Sequence, residues 1–209
     1  TRVRSTARSA RPGLIDVSLL VVALVWGSTY LTAKDLVEPA TVVAVLALRF
    51  VVTVLAMAPF CVQRMRRTSR HEVRTGVILG AILAIEFALE TFGIAGTSAT
   101  NAGLIISLAI VLTPVMESLL TRTWLPPRLL VAGVVSVVGV ALLASGSSFG
   151  APTWGDGLVL AAATVRAVHV AATHRLSAGR RQDSITLTFV QLSVCAVVFC
   201  GLSPFAGDS

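Results

Sequence analysis

Residues 75–96 read TGVILGAILAIEFALETFGIAG, an apolar run from Thr75 to Gly96 broken by two charges, Glu86 and Glu90. A helix rises about 1.5 Å per residue, so a run of this length covers the roughly 30 Å hydrocarbon core of a bilayer. Working outward in both directions, six more runs have the same character: Leu14–Thr32, Ala40–Val62, Ala99–Leu120, Leu129–Ser145, Gly157–His174 and Ile185–Pro204. The joints are short and carry helix breakers, Glu38-Pro39, Pro126-Pro127 and the Gly/Ser/Pro stretch Ser145–Trp154. An all-α polytopic membrane protein of about seven transmembrane helices is therefore expected.

Composition excludes the main alternatives. Hydrophobic residues make up 55% of the 209, charged residues 13%, and the mean hydropathy is +0.86. A soluble domain carries about 25% charged residues, and a globule with half that charge would expose apolar surface and aggregate. The net charge of +7 would suggest nucleic acid only if the arginines shared one folded face, and they do not. Cys61, Cys195 and Cys200 all lie in or beside apolar runs without metal-type spacing, and read as small buried hydrophobes.

The basic residues fall in alternate loops. Arg2, Arg4, Arg8 and Arg11 precede the first run, and Arg64, Arg66, Arg67, Arg70 and Arg74 lie between the second and third. Arg122 and Arg128 separate the fourth from the fifth, and Arg175, Arg180 and Arg181 the sixth from the seventh, whereas the opposite loops hold only Lys34. By the positive-inside rule the N-terminus is cytoplasmic and the chain crosses seven times. A basic start followed by an apolar run also fits a signal peptide. Six further spans and the lack of an A-x-A site favour an uncleaved first helix. Sixteen arginines against one lysine, with abundant alanine and valine, fit a GC-rich bacterial genome and hence the plasma (inner) membrane of a bacterium.

Charge within hydrocarbon costs about 2.5–3.5 kcal/mol per group on insertion scales, so each such residue needs a reason. Glu86 and Glu90, four apart, share one face of the third helix. Their mutual repulsion and burial disfavour the doubly ionised state, which suits proton binding. A structural pair neutralised by Arg49 or Arg166 is the competing reading. Arg49, mid-span in the second helix, has the planar fork to hold a substrate carboxylate or to form a packing salt bridge. Arg166 and His169, three apart, share a face of the sixth helix and are candidates to line the same cavity. Trp26 and Tyr30 stand one turn apart in the first span, either facing a cavity or packing as interfacial aromatics. Asn101 reads as the N-cap of the fourth helix, and Pro114 as a kink within it. Gly76, Gly80, Ala84 and Ala88 form a small-residue ridge for close helix contact.

The chain also resembles itself. Ile15-Asp16-Val17-Ser18-Leu19-Leu20 at the head of the first span is similar to Trp154-Gly155-Asp156-Gly157-Leu158-Val159 at the sixth, and Leu48-Arg49-Phe50 stands where Val190-Gln191-Leu192 stands later. Five spans separate the two starts, so the second unit is inverted relative to the first, as in many secondary transporters.

Several blocks together resemble the drug/metabolite transporter superfamily, specifically its EamA-like members. They are Trp26-Gly27-Ser28, Leu48-Arg49-Phe50, the run Thr97-Ser98-Ala99-Thr100-Asn101-Ala102-Gly103-Leu104-Ile105, Thr113-Pro114, and Gly133 with Gly139. The resemblance implies about ten helices in two inverted five-helix repeats around a central cavity. It divides this chain into a basic cytoplasmic segment (1–13), a first five-helix repeat (14–145), an extracytoplasmic linker (146–155) and the first two helices of a second repeat (156–209), truncated there. The chain departs from the family in two places: Thr121-Arg122-Thr123-Trp124 replaces its Glu-Arg between spans four and five, and Arg166 stands where it carries tryptophan.

The function expected from this resemblance and from the membrane charges is secondary transport of a small metabolite or drug by alternating access, proton-coupled, with export as the expected direction. The substrate and proton-pathway candidates are Glu86, Glu90, Arg49, Trp26, Asn101, Arg166 and His169. The partners expected are a small-molecule substrate, the lipid bilayer and a second copy in a homodimer, with no nucleic acid, cofactor or metal. The alternative is a truncated, non-transporting membrane remnant or assembly module. Catalysis is not expected, since His71, His169 and His174 lack HExxH spacing, no serine has a G-x-S-x-G setting, and there is no nucleotide-binding loop.

Overall fold

The computed structural model describes residues 39–66, 68–122, 124, 127–146, 153–177 and 183–206. The first expected span, with Trp26 and Tyr30, lies outside the described residues. Within them all regular structure is helical: α1 (Pro39–Met65), α2 (Arg70–Ala95), α3 (Ala99–Ser107), α4 (Ala109–Thr121), α5 (Pro127–Gly146), α6 (Trp154–Ser177) and α7 (Ser184–Ala206). Five stretches among them are long and apolar enough to cross a membrane: Val42–Met65, Arg70–Ala95, Ala99–Leu119, Trp154–Ser177 and Ser184–Ser203. The chain is a multi-pass helical membrane protein.

Helix starts follow from local sequence. Ser69 and Glu72 form a reciprocal capping box at α2, with Ser69 N–H donating to Glu72 Oε2 at 2.8 Å and Glu72 N–H to Ser69 Oγ at 3.2 Å. Thr153 and Asp156 do the same for α6, at 2.8 and 3.3 Å. Two expectations are corrected. The cap of α3 is Ser98, whose Oγ accepts from Asn101 N–H at 3.0 Å, so Asn101 is the third helical residue and not the cap. The fourth span is two helices, broken at Leu108, where the amide bonds Ile105 three residues back. Pro114 leaves the Ile110 carbonyl without its usual amide donor and crowds it, and the break falls in the turn before that carbonyl.

Helix α2 is central. It packs against α6 on one side and α7 on another, while α7 also carries α1, and α6 also carries α3 and α4. Sequence neighbours α1 and α2 touch each other little. Two apolar clusters hold this arrangement. Phe50 of α1 stacks on Phe199 of α7 at 5.6 Å and meets Phe87 of α2 edge-on at 5.1 Å, among Val42, Leu46 and Ala84. On the other side, Ile94, Ala102, Ile106, Val159, Ala162 and Ala163 join α2 and α3 to α6. Large apolar side chains such as Leu48, Leu55, Phe60 and Ile85 point outward, as lipid-facing positions do.

The small-residue ridge is where α7 approaches α2. A Cβ at Gly80 would lie 2.9 Å from both the Cα and the carbonyl oxygen of Gln191, so backbone meets backbone there. Gly93 and Gly155 serve α2 and α6 in the same way near the other end, where a Cβ at Gly93 would lie 2.9 Å from the Val159 nitrogen.

The two ends of the bundle differ in charge. At one end Arg64 donates to Asp183 at 2.8 Å, tying α1 to the start of α7, and His174 pairs with Glu117 at 2.8 Å, tying α6 to α4. The arginine-bearing helix ends, at Arg64, Arg70, Arg122 and Arg175, therefore gather on one side. The hydrogen bond from Arg64 holds the Asp183 carboxyl below the usual carboxylate range. A depressed carboxyl contributes stability above its unfolded value and loses it as pH falls through the folded one. With both side chains well exposed, salt screens that contribution. At the opposite end Thr97 Oγ1 donates to Asp156, joining the α2–α3 turn to α6. Replacing Asp156 by alanine removes this tie and half of a capping box, and is expected to cost about 1–2 kcal/mol. Thermal unfolding of the purified full-length protein measures it, and an unchanged midpoint would show that the tie carries no stability.

Candidate functional site

The face of α2 that meets α6 carries Glu86 and Glu90, one helical turn apart, and both are buried, at 3% and 5% exposure. Arg166 lies near the middle of α6, opposite them. Its Nε donates to Glu86 Oε1 at 2.5 Å and its Nη2 to Glu90 Oε2 at 2.8 Å. A planar guanidinium presents donors along two edges, so one arginine spans two carboxylates that a helical turn sets about 5.4 Å apart. Lysine, with a single point of charge, would not.

Among the described residues, with both carboxylates ionised, the cluster carries two negative charges against one positive. The surplus sits in a protein interior inside a bilayer, where charge interactions are strong and water is scarce. Arg166 offsets the burial of one carboxylate and part of the other. Glu86 Oε2 is buried with no hydrogen-bond partner among the described residues.

One turn further along α6, His169 Nε2 lies 3.1 Å from Gln191 Oε1 of α7, and Gln191 is itself buried. Cys195, one turn beyond Gln191, donates its thiol to the Gly80 carbonyl at 3.6 Å. Glu86, Glu90, Arg166, His169 and Gln191 are thus carried by α2 and the two helices packed against it, α6 and α7.

Of the residues expected at a site, Glu86, Glu90 and Arg166 come together directly, with His169 next to them on α6. Arg49 does not join them: its guanidinium lies over the Phe87 ring, 5.3 Å from the centroid. Asn101 belongs to the opposite end, in the first turn of α3, close in sequence to the Thr97 that donates to Asp156. Trp26 lies outside the described residues. Gln191, Thr97 and Asp156 were missed as interacting groups. Gln191 was visible as a polar residue in an apolar span, and Thr153-x-x-Asp156 as a capping signature.

Helices that cross a membrane, with a charge cluster buried between them, define a polytopic membrane protein with a candidate site inside the bilayer. The chain belongs to the EamA-like transporter family, which it matches over residues 13–145. It is also 28% identical over 191 residues to a protein of Archaeoglobus fulgidus named as an uncharacterized transporter, an alignment covering 91% of this chain. The chain spans 57% of the length of that relative. No solved structure matches it.

Proposed function

We propose that this chain forms part of a secondary transporter that moves a small metabolite or drug by alternating access, and that Glu86, Glu90 and Arg166 are its proton-coupling site. The observation that carries this reading is two buried carboxylates sharing one guanidinium, a cluster that among the described residues is short of one positive charge. A proton supplies that charge without requiring any other group to move. Binding and release of one proton then alternates the cluster between neutral and singly negative, a change that biases two helix arrangements against each other. Family membership supports transport as the activity. Export, as substrate exchanged outward for an inward-moving proton, is the direction we propose.

The test uses the full-length protein in liposomes loaded with a pH-sensitive dye and challenged with a panel of small metabolites and organic cations. Wild-type protein is expected to move protons when a transported compound is added. The triple variant Arg166→Leu/Glu86→Leu/Glu90→Leu, which strands no charge, should insert normally and lose ~100-fold or more of that proton movement, the lower end for removing a group that exchanges protons. Coupling at the wild-type rate in the triple variant would remove the cluster from the mechanism.

We further propose a bacterial plasma-membrane location with the N-terminus in the cytoplasm. Support comes from the gathering of arginine-bearing helix ends on one side of the bundle. In a variant with Cys61, Cys195 and Cys200 replaced by serine, a cysteine at Gly150 is expected to react with an impermeant maleimide in intact cells. A cysteine at Arg70 should react only after permeabilisation. The reverse pattern would invert the topology.

A further inference from the structure

Within the proposed coupling site, we infer that the exchangeable proton is carried by one particular atom, Glu86 Oε2, while Glu90 remains the ionised partner of Arg166. The inference rests on the coupling reading above and adds a division of labour between two carboxylates that are chemically alike.

The geometry separates them. Arg166 turns two different donors toward the pair, Nη2 to Glu90 and Nε to Glu86 Oε1. Glu86 Oε2 is buried and receives no donor among the described residues. An ionised carboxylate spreads its charge over both oxygens, and hydration or a donor at each is what makes that charge tolerable. Glu86 as a carboxylate has this at one oxygen only. A proton placed on Oε2 removes the surplus charge of the cluster and leaves Oε1 free to keep accepting from Arg166 Nε. Among the described residues Glu86 Oε2 is the one buried side-chain oxygen left without a donor, and Glu90 has no counterpart to it. One oxygen therefore takes up and gives back a proton without breaking the ion pair that joins α2 to α6.

Among the described residues the charged and titratable groups around Glu86 are few: Glu90 shares its helix, Arg166 pairs with it from α6 with His169 one turn along, and α7 contributes the Cys195 thiol. Arg49 of α1 is engaged with the Phe87 ring, and Glu117 of α4 pairs with His174 at the end of the bundle. Glu90 and Arg166 are the fixed charges of the site, and Glu86 is the variable one.

Infrared difference spectroscopy of the full-length protein in lipid reads this directly, because a protonated carboxyl absorbs apart from carboxylates. The probe is the proton itself, titrated between about pH 5 and pH 9, where exposed carboxyls stay ionised over most of the range. Wild-type protein is expected to show a protonated-carboxyl band that appears as pH falls. The band should vanish in Glu86→Gln and persist in Glu90→Gln. Loss in Glu90→Gln with retention in Glu86→Gln, or loss in both, overturns the assignment to Glu86 while leaving a proton site in the cluster. Absence of any titrating band from the wild type overturns the assignment together with the coupling reading. Should Glu86→Gln fail to insert, Glu86→Asp serves instead: the band should shift in that variant and stay in place in Glu90→Asp, and an unshifted band in Glu86→Asp overturns the assignment equally.

Discussion

Replacing Arg166 by leucine in the full-length protein is expected to destabilise it by about 3–5 kcal/mol, because two buried carboxylates then face each other with no counter-charge. Arg166 donates to both Glu86 and Glu90, which are almost inaccessible. Its removal strands charge in a medium that cannot solvate it, and the protein must then bind two protons or open the α2–α6 contact. The effect is one of mismatch, not of a lost attraction. The triple variant Arg166→Leu/Glu86→Leu/Glu90→Leu is accordingly expected to recover most of the stability, since replacing a whole buried ion cluster by apolar side chains is often neutral or stabilising. Thermal unfolding in detergent, read by tryptophan fluorescence and by monodispersity on gel filtration, compares the three proteins. Equal melting of wild type and Arg166→Leu would show that the arginine neutralises nothing. Recovery of stability without recovery of proton coupling in the triple variant would separate what the cluster does for folding from what it does for function.

The second large effect is expected at Gly80. A side chain there meets the Gln191 backbone, and a backbone atom held within a helix cannot rotate away as a side chain can. Gly80→Leu is expected to push α7 off α2 and cost at least about 1–3 kcal/mol, the usual range for overpacking. It should also loosen the His169–Gln191 contact, since Gln191 is the residue displaced. Gly103→Ala is the control, because a Cβ at Gly103 meets nothing within 4 Å. The same melting assay distinguishes them, and equal melting of Gly80→Leu and Gly103→Ala would refute the close approach of α2 and α7.

Both predictions concern contacts between helices, and that is where the reading from sequence met its limit. The Glu86–Glu90 face followed from their four-residue spacing. Their partner did not. Arg49 and Arg166 were equal choices, because each sits mid-span in an apolar run and spacing along one helix says nothing about which neighbour it faces. The structure sends Arg49 to an aromatic ring and Arg166 to the carboxylates. Asn101 was assigned to the cap because it is a good capping residue at a helix start, yet Ser98 precedes it and takes that place. The break at Leu108 was anticipated only as a kink at Pro114.

What the sequence determined by itself is the solvent, a bilayer crossed by several helices. Hydropathy states which stretches leave water, and arginine distribution states which ends stay in it, because both are transfer free energies summed over local residues. What only the tertiary structure decided is which helices touch and which polar atoms meet. In water, an apolar stripe marks the buried side of a helix. In a bilayer, lipid and protein interior are equally apolar, so that marker is lost and packing rests on shape and on sparse polar pairs. Gly80 against Gln191 and Arg166 against Glu86 and Glu90 are such contacts, each made between residues more than seventy positions apart.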